Sequence, residues 1–308
     1  MISQKNARVL KIIGSAMGIL FVAVNQITKY RATAALREYS ARFSQEGTPN
    51  ATEISMQRVY FGVEKKAHGV LLIHGIPSST STFSGLCDCL QEKRIPFIAP
   101  MLTGFGNTEL NLLPNVSYED WLRDALNGYD TLAQCAEKIT IVSTSTGSLI
   151  ATWISGQRKV ENLVMIVPNF APGPSAKHYK AVLDTPVASQ AFRWLMPYKF
   201  ADPEDYADRT RYRYPFHEVN SVRQMFLLQE KVTPEQIRVR RGVFLMTGSK
   251  DTTVSTEALV QKLEKKRTEE GIEYRAFEYD AGHSLLQDAA KQVQKQILEI
   301  LAEHPTEE

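Results

Sequence analysis

The sequence is poor in cysteine, nearly balanced in charge and short of long apolar runs, and each shortage removes a class of protein. Its three cysteines, Cys87, Cys89 and Cys135, suit neither a metal cluster nor a disulfide framework. Cys87 and Cys89 stand two apart on a predicted helix and point to different faces, so no structural disulfide is expected. A formal net charge of +2 over 308 residues gives no strong pull toward nucleic acid. The short basic clusters Arg209, Arg211, Arg213 and Arg238, Arg240, Arg241 read as solvated faces. Internal repeats and low-complexity tracts are absent. One uncharged apolar run, Ile12 to Val24, stands out, and it falls short of the ~20 residues that span a bilayer. The strict pattern Gly-x-Ser-x-Gly is absent as well.

What is present is a close relative of that pattern. Ser143-Thr144-Ser145-Thr146-Gly147 follows the strand-like run Lys138 to Val142 and precedes the helix-like run Ser148 to Ser155. A small-x-Ser-x-small turn between strand and helix is how an α/β-hydrolase lifts a nucleophilic serine out of its sheet. The turn is tight, so the residues two before and two after the nucleophile must be small. Ser143 and Gly147 meet that demand, and Ser145 becomes the candidate nucleophile. Taken alone, five residues so rich in Ser and Thr read equally well as an ordinary polar loop.

Three more segments fall where the same chemistry needs them. Val70 to Ile73 reads as a buried strand that runs into His74-Gly75-Ile76-Pro77, and the backbone N–H groups of Ile76 and Thr146 are the candidate oxyanion hole. Val243 to Met246 is a second strand-like run, ending in Thr247-Gly248-Ser249-Lys250-Asp251, with Asp251 the candidate acid. A helix-like stretch from Thr256 to Glu269 and a strand-like one from Glu273 to Tyr279 lead to Ala281-Gly282-His283-Ser284, with His283 the candidate base. The order Ser145, Asp251, His283 is the α/β-hydrolase order and differs from the chymotrypsin and subtilisin orders. An unassisted serine hydroxyl is a poor nucleophile at neutral pH, so an imidazole must take its proton and a carboxylate must hold that imidazole.

Rival residues fit less well. His74, at the end of a buried strand, is expected to satisfy backbone groups of the next loop. His68 is expected to be solvated, while His178, His217 and His304 do not follow a sheet strand. Asp280 stands three before His283 and is badly placed to orient it from the far side. Ser143 and Ser148 lack small neighbours at both flanking positions of an elbow.

On these residues the chain resembles the bacterial carboxylesterase and monoacylglycerol lipase branch of the α/β-hydrolases, the serine aminopeptidase S33-like group. The likeness runs from Gly69 to Leu301. It is carried by Leu71-Leu72-Ile73-His74-Gly75, Ala99-Pro100-Met101-Leu102-Thr103-Gly104-Phe105-Gly106, Tyr118-Glu119-Asp120-Trp121, the elbow, Gly248-Ser249-Lys250-Asp251 and Gly282-His283-Ser284. Members usually have Gly-His-Gly where Gly104-Phe105-Gly106 stands, and glycine where Ser143 and Ser148 stand. The resemblance implies ester hydrolysis of short or medium acyl esters or monoacylglycerols, with neither metal nor organic cofactor. A peptidase or amidase, an acyltransferase of the same fold, and a catalytically inactive binding or scaffold member are the alternatives. Glu204, Asp205 and Asp208 would serve an amine-binding site in the first of these.

The expected architecture is a single α/β domain over residues 54–303 with a mainly parallel sheet, helices on both faces and the site at the strands' carboxyl ends. Strands are predicted at Ile54 to Phe61, Val70 to Ile73, Pro96 to Ala99, Ile139 to Val142, Leu163 to Val167, Val243 to Met246 and Glu273 to Tyr279. Helices are predicted at Thr82 to Lys93 and Tyr118 to Glu137, the latter capped by Ser117 with Glu119 and Asp120 in its first turn. Over about 169–240 the alternation gives way to a Pro-, Tyr- and Arg-rich insertion, expected to be a cap. Most of its aromatics should form their own small core, and a few should face the acyl pocket.

The amino-terminal segment 1–29 is expected to be a membrane anchor or uncleaved signal, joined to the hydrolase domain by a linker over 30–53. No small-x-small cleavage pattern follows within reach, and a snorkelling Lys11 lets Val9 to Ile27 count toward a span. Gly14 and Gly18 make a G-x-x-x-G pair able to pack two such helices into a homodimer. The expected partners are therefore a small ester or lipid substrate and a bacterial inner membrane. Lys5, Arg8 and Lys11 against Lys29, Arg31 and Arg37, with the free amino terminus, tip the catalytic domain toward the periplasm. Unpaired cysteines argue for the cytoplasm, so the side stays open.

Overall fold

The computed structural model of the chain describes residues 18–35, 37, 58–61, 66–106, 113–200, 214 and 216–303. In chain order, its elements are a helix α1 over 18–35, β1 (Arg58–Tyr60), β2 (Lys66–Ile73), α2 (Ser84–Glu92), β3 (Phe97–Ala99), α3 (Tyr118–Leu132), β4 (Ala136–Thr144), α4 (Gly147–Ser155) and β5 (Asn162–Ile166). There follow α5 (Pro174–Leu183), α6 (Pro186–Leu195), β6 (Tyr198–Phe200), β7 (Phe216–Glu218), α7 (Val219–Lys231), β8 (Gly242–Gly248), α8 (Glu257–Glu270), β9 (Glu273–Tyr279), α9 (Leu285–Asp288) and α10 (Ala290–Glu303).

Seven strands form one sheet in the order β1-β3-β2-β4-β5-β8-β9, parallel throughout except for the antiparallel edge strand β1. Alternation along the strands explains why both faces are covered. Leu71, Ile73, Ile141, Leu163, Met165, Val243 and Leu245 pack against α3, α4 and α8 through Trp121, Ala125, Leu149, Leu259 and Leu263. Their strand neighbours Val70, Leu72, Val142, Val164, Ile166, Phe244 and Met246 pack against α2 and α10 through Leu86, Leu90, Val293, Ile297 and Ile300. Each such side chain, taken fully out of water, contributes roughly 2 kcal/mol.

The register brings the strand ends level. Ile73 pairs with Ser143, Thr144 with Ile166, Ile166 with Met246 and Gly248 with Tyr279. Every loop that follows therefore leaves from one edge of the sheet, which is where a parallel α/β sheet presents a site.

Several boundaries differ from expectation. The helix expected over Tyr118 to Glu137 stops at Leu132, because the chain turns and β4 begins at Ala136. Its start is as expected: the Ser117 hydroxyl accepts from the Asp120 amide at 3.3 Å and the Asp120 carboxylate accepts from the Ser117 amide at 2.9 Å, a reciprocal cap. His68 is half-buried on β2 with Nε2 2.8 Å from the Thr140 hydroxyl, rather than solvated.

The membrane helix finds no support. Among the described residues no helix is long and apolar enough to cross a membrane, and residues 9–17 of the expected span, with Gly14, lie outside them. In α1 the apolar stretch soon gives way to Lys29 and Arg31. The helix instead leans on the insertion, with Phe21 edge-on to Trp194 at 6.2 Å, the Asn25 amide donating to the Trp194 carbonyl, and Ala32 fully buried.

The expected cap insertion holds α5, α6, the antiparallel pair β6–β7 and α7. Leu183, Val219, Val222 and Phe226 form a separate cluster, joined by Tyr179 and Phe192. Tyr206 and Tyr212 lie outside the described residues.

Candidate active site

Ser145 sits where β4 ends and α4 begins, with a backbone φ of 51°. That left-handed conformation costs a non-glycine residue on the order of 1–2 kcal/mol and turns the side chain out of the sheet. Close packing explains the small neighbours. A Cβ on Gly147 would lie 2.3 Å from the Ile73 carbonyl oxygen, and one on Gly75 would lie 2.9 Å from the Ser145 Cβ. The elbow and the His-Gly loop touch backbone to backbone, so both positions require glycine.

Ser143 and Ser148, the two serines at usual glycine positions, turn out to be one feature. Their hydroxyls lie 3.1 Å apart in a fully buried place, and the Ser143 hydroxyl also donates to the Val164 carbonyl at 3.2 Å. A hydroxyl at either position alone would be buried without that mutual partner. The third departure, Phe105, is buried against His74, Trp121 and Tyr214 with ring centroids 5.9, 5.9 and 6.1 Å away. There it fills apolar space under the cap.

The loops that carry Asp251 and His283 are also locked together. A Cβ on Gly248 would lie 2.4 Å from the Ala281 carbonyl oxygen, and the amides of Ser249 and Lys250 donate to Tyr279 and Ala281 at 2.9 and 3.0 Å. The result is a continuous relay: His283 Nε2 is 3.0 Å from Ser145 Oγ and His283 Nδ1 is 2.7 Å from Asp251 Oδ2. The other Asp251 oxygen accepts from the amides of Thr253 and Val254 at 2.7 and 3.3 Å. Burial opposes ionisation of Asp251, but the bond from His283 and those two amides prevail and hold its carboxyl below the usual range.

The rivals are placed elsewhere. Burial drives the His74 imidazole down to about 4, so the ring is neutral at ordinary pH. Its Nδ1–H donates to the Gly75 carbonyl at 2.9 Å and its Nε2 accepts from the Leu102 amide at 3.2 Å, tying the β2 loop to the loop after β3. Asp280 is exposed and pairs with Lys250 at 2.8 Å. Glu204, Asp205, Asp208 and His304 lie outside the described residues.

Of the two candidate oxyanion amides, Thr146 follows Ser145 directly and Ile76 lines the same cavity as Ser145. Neither the Ile76 nor the Thr146 N–H donates to a backbone carbonyl among the described residues. Gly75 brings the loop close to Thr146, with its ideal Cβ position 3.5 Å from the Thr146 nitrogen. Beside Ser145 lies a cavity of about 50 Å³ lined by Gly75, Ile76, Ser78, Thr82, Thr144, Ser145 and the run His283 to Gln287. Among the described residues, none of the cap aromatics expected to face an acyl pocket lines it. Ser78, Thr82 and Gln287 were not legible as site residues; the one available signal for Gln287 was its place one helical turn beyond the base.

The family model described as "Alpha/beta hydrolase family" matches residues 70–295. No curated protein sequence matches the chain. Among solved structures, a metagenome-derived lipolytic enzyme aligns with a TM-score of 0.64 at 15% identity, covering 81% of this chain and 98% of its own. A monoacylglycerol lipase from Paleococcus ferrophilus aligns at 0.59 and 17% identity, covering 80% and 100%. A thermophilic esterase from Thermogutta terrifontis aligns at 0.56 and 18% identity, covering 80% and 93%. At these identities the likeness is one of fold.

Proposed function

We propose, on the premise that this chain belongs to the alpha/beta hydrolase family, that it is a serine hydrolase of carboxylic esters working through Ser145, His283 and Asp251. One observation carries this reading: a half-buried relay from carboxylate through imidazole to a hydroxyl raised on a strained elbow, at 2.7 and 3.0 Å. That is the geometry in which an imidazole takes a serine proton.

In the first half-reaction His283 Nε2 accepts the Ser145 proton as Oγ attacks the ester carbonyl carbon. Negative charge develops on the carbonyl oxygen, within reach of the Ile76 and Thr146 amides, whose dipoles are in place before the reaction begins. Asp251 keeps Nδ1 protonated and stabilises the imidazolium. His283 then gives its proton to the leaving alcohol oxygen, and an acyl group stays on Ser145. Water repeats the sequence and frees the acid. The relay needs no metal or organic cofactor for these steps.

Short or medium acyl esters and monoacylglycerols are the proposed substrates, a choice supported by the cavity beside Ser145 and by the esterases and lipases that share the fold. The full chain treated with a fluorophosphonate probe should be labelled at Ser145, and Ser145→Ala should lose both label and ester hydrolysis. Labelling that survives in Ser145→Ala would refute this mechanism, and absence of label on the folded wild type would favour an inactive binding member.

A further inference from the structure

The segment that leaves β5 touches the nucleophile, the loop of Asp251 and the insertion in turn, yet takes no part in proton transfer. The Ile166 carbonyl accepts from the Ser145 amide at 2.9 Å, and the Asn169 amide donates back to the Ser145 carbonyl at 3.3 Å. Between them Val167 is buried with a φ of 44°, a left-handed conformation that a β-branched residue adopts only where its surroundings impose it. Beyond Asn169 the chain runs beside the loop of Asp251. The Ser255 amide donates to the Ala171 carbonyl at 2.9 Å, and the Gly173 amide donates to the Thr253 carbonyl at 2.8 Å.

At the joint of this segment a buried side chain finds its partner on the insertion. Gln229, in the last turn of α7, donates through Nε2 to the carbonyl oxygen and to Oδ1 of Asn169, each at 3.0 Å, and both residues are buried. Asn169 Nδ2 in turn lies 3.1 Å from the sulfur of Met225, one turn earlier on the same helix. Two other amides of α7 lead elsewhere: Asn220 donates to the Val116 carbonyl at 2.9 Å, and Gln224 accepts from the Tyr118 amide at 3.2 Å. Of these three ties, the one from Gln229 ends on a residue bonded to Ser145. A buried amide pair has no water to replace a lost partner, so this tie is directional where the apolar packing of the insertion is not.

Building on the esterase reading above, we propose that Asn169 and Gln229 are positioning residues that fasten the nucleophile to the insertion. Gln229 sets where Asn169 lies, and the Asn169 amide sets the Ser145 carbonyl and so the direction in which Oγ leaves the elbow. Neither side chain lines the cavity beside Ser145, so the effect reaches the chemistry through the Ser145 backbone. A nucleophile displaced by about 1 Å loses on the order of 10²-fold in rate. Apolar residues of the insertion can change without that consequence; Gln229 is the point at which the insertion reaches the relay.

Two variants of the full chain test this, each assayed well below its thermal midpoint, where circular dichroism shows it folded. Gln229→Leu removes both donors at similar volume. Its rate of labelling by a small fluorophosphonate and its kcat/KM on an ethyl butyrate substrate should fall together, by about 10-fold. Gln229→Glu keeps the shape, but its carboxylate cannot donate, so it should show the same deficit at high pH. As pH falls from about 8.5 to 5.5 its labelling rate, taken as a ratio to the wild type, should recover, because the protonated carboxyl donates to Asn169 again and burial raises the pH at which it does so. A lowered thermal midpoint with a wild-type labelling rate in either folded variant, or a deficit in Gln229→Glu that is the same at every pH, overturns the positioning role and leaves the esterase reading standing. Absence of label at Ser145 in the folded wild type, with no ester hydrolysis, overturns both. If the leucine variant fails to fold, the pH series of Gln229→Glu decides.

Discussion

The carboxyl edge of the sheet and the cap above it are held by different forces. Along the edge, backbone meets backbone: added methyl groups on Gly147 and Gly248 would sit 2.3 and 2.4 Å from carbonyl oxygens of neighbouring loops. The cap rests on side-chain packing, a cluster of Leu183, Val219, Val222 and Phe226, and leaves Val187 81% and Trp194 52% exposed. Backbone bonds tie it to the edge at its ends, among them Tyr214 to Pro77 at 2.8 Å and Gly173 to Thr253 at 2.8 Å. Contacts between main chains have almost no tolerance, so the relay distances are inherited from them. Apolar packing tolerates substitution, and a cap built that way can change what it admits without disturbing the chemistry beneath.

Breaking the edge should cost the most. Asp251→Asn keeps the shape but reverses the hydrogen-bond polarity toward His283 Nδ1, and kcat should fall by about 10⁴ in steady-state ester assays. Next, Gly248→Ala must push the acid and base loops apart; kcat should fall by about 10² and the thermal midpoint should drop with it. A loss of stability with unchanged kcat would show that the loop contact does not set the relay.

The cap offers a sharper contrast through pH. Glu218 caps α7 by accepting from the Ser221 amide at 2.7 Å. Burial raises its carboxyl to about 7 from an ordinary 4.5, against the opposing pull of the Asn220 and Ser221 amides and the Arg193 charge. Between those two values the folded cap binds more protons than the unfolded chain, so its stability falls as pH rises from about 4.5 to 7, by about 3 kcal/mol in all. Hydrogen exchange of α7 should lose protection over that window in the wild type. Gln at this position carries no titrating proton, and Glu218→Gln should remove the slope while leaving the sheet's exchange unchanged.

The smallest effect belongs to the buried serine pair. Ser143→Ala and Ser148→Ala should each destabilise by about 1 kcal/mol, and the double variant by less than the sum, with a coupling of about 0.5 kcal/mol or more in urea unfolding. Strict additivity would mean that the 3.1 Å contact between them contributes nothing.

How much was readable beforehand follows the same division. Gly147, Gly75 and Gly248 stand in short motifs because local backbone geometry demands them, and Ser145, Asp251 and His283 could be found from the strands that precede them. The end of α3 at Leu132 was not readable, since Ala133 to Glu137 has no strong breaker. The aromatics of the insertion were expected mostly to form its own small core; Tyr179, Phe192 and Phe226 do so, whereas Tyr198, Tyr214 and Phe216 pack into the main core. That Phe192, Trp194, Tyr198, Tyr214 and Phe216 do not line the cavity beside Ser145 was not readable, because it depends on how the insertion folds back over the edge.

By itself the sequence determined the alternation of strand and helix, the parallel sheet and the order of the three relay residues, since each depends on neighbours a few positions away. Only the tertiary structure decided that Ser143 and Ser148 satisfy one another, that Phe105 closes on His74 and that α1 lies against Trp194. Each of these joins chain segments through side-chain direction and distance, and neither can be read from spacing along the chain when the intervening backbone turns.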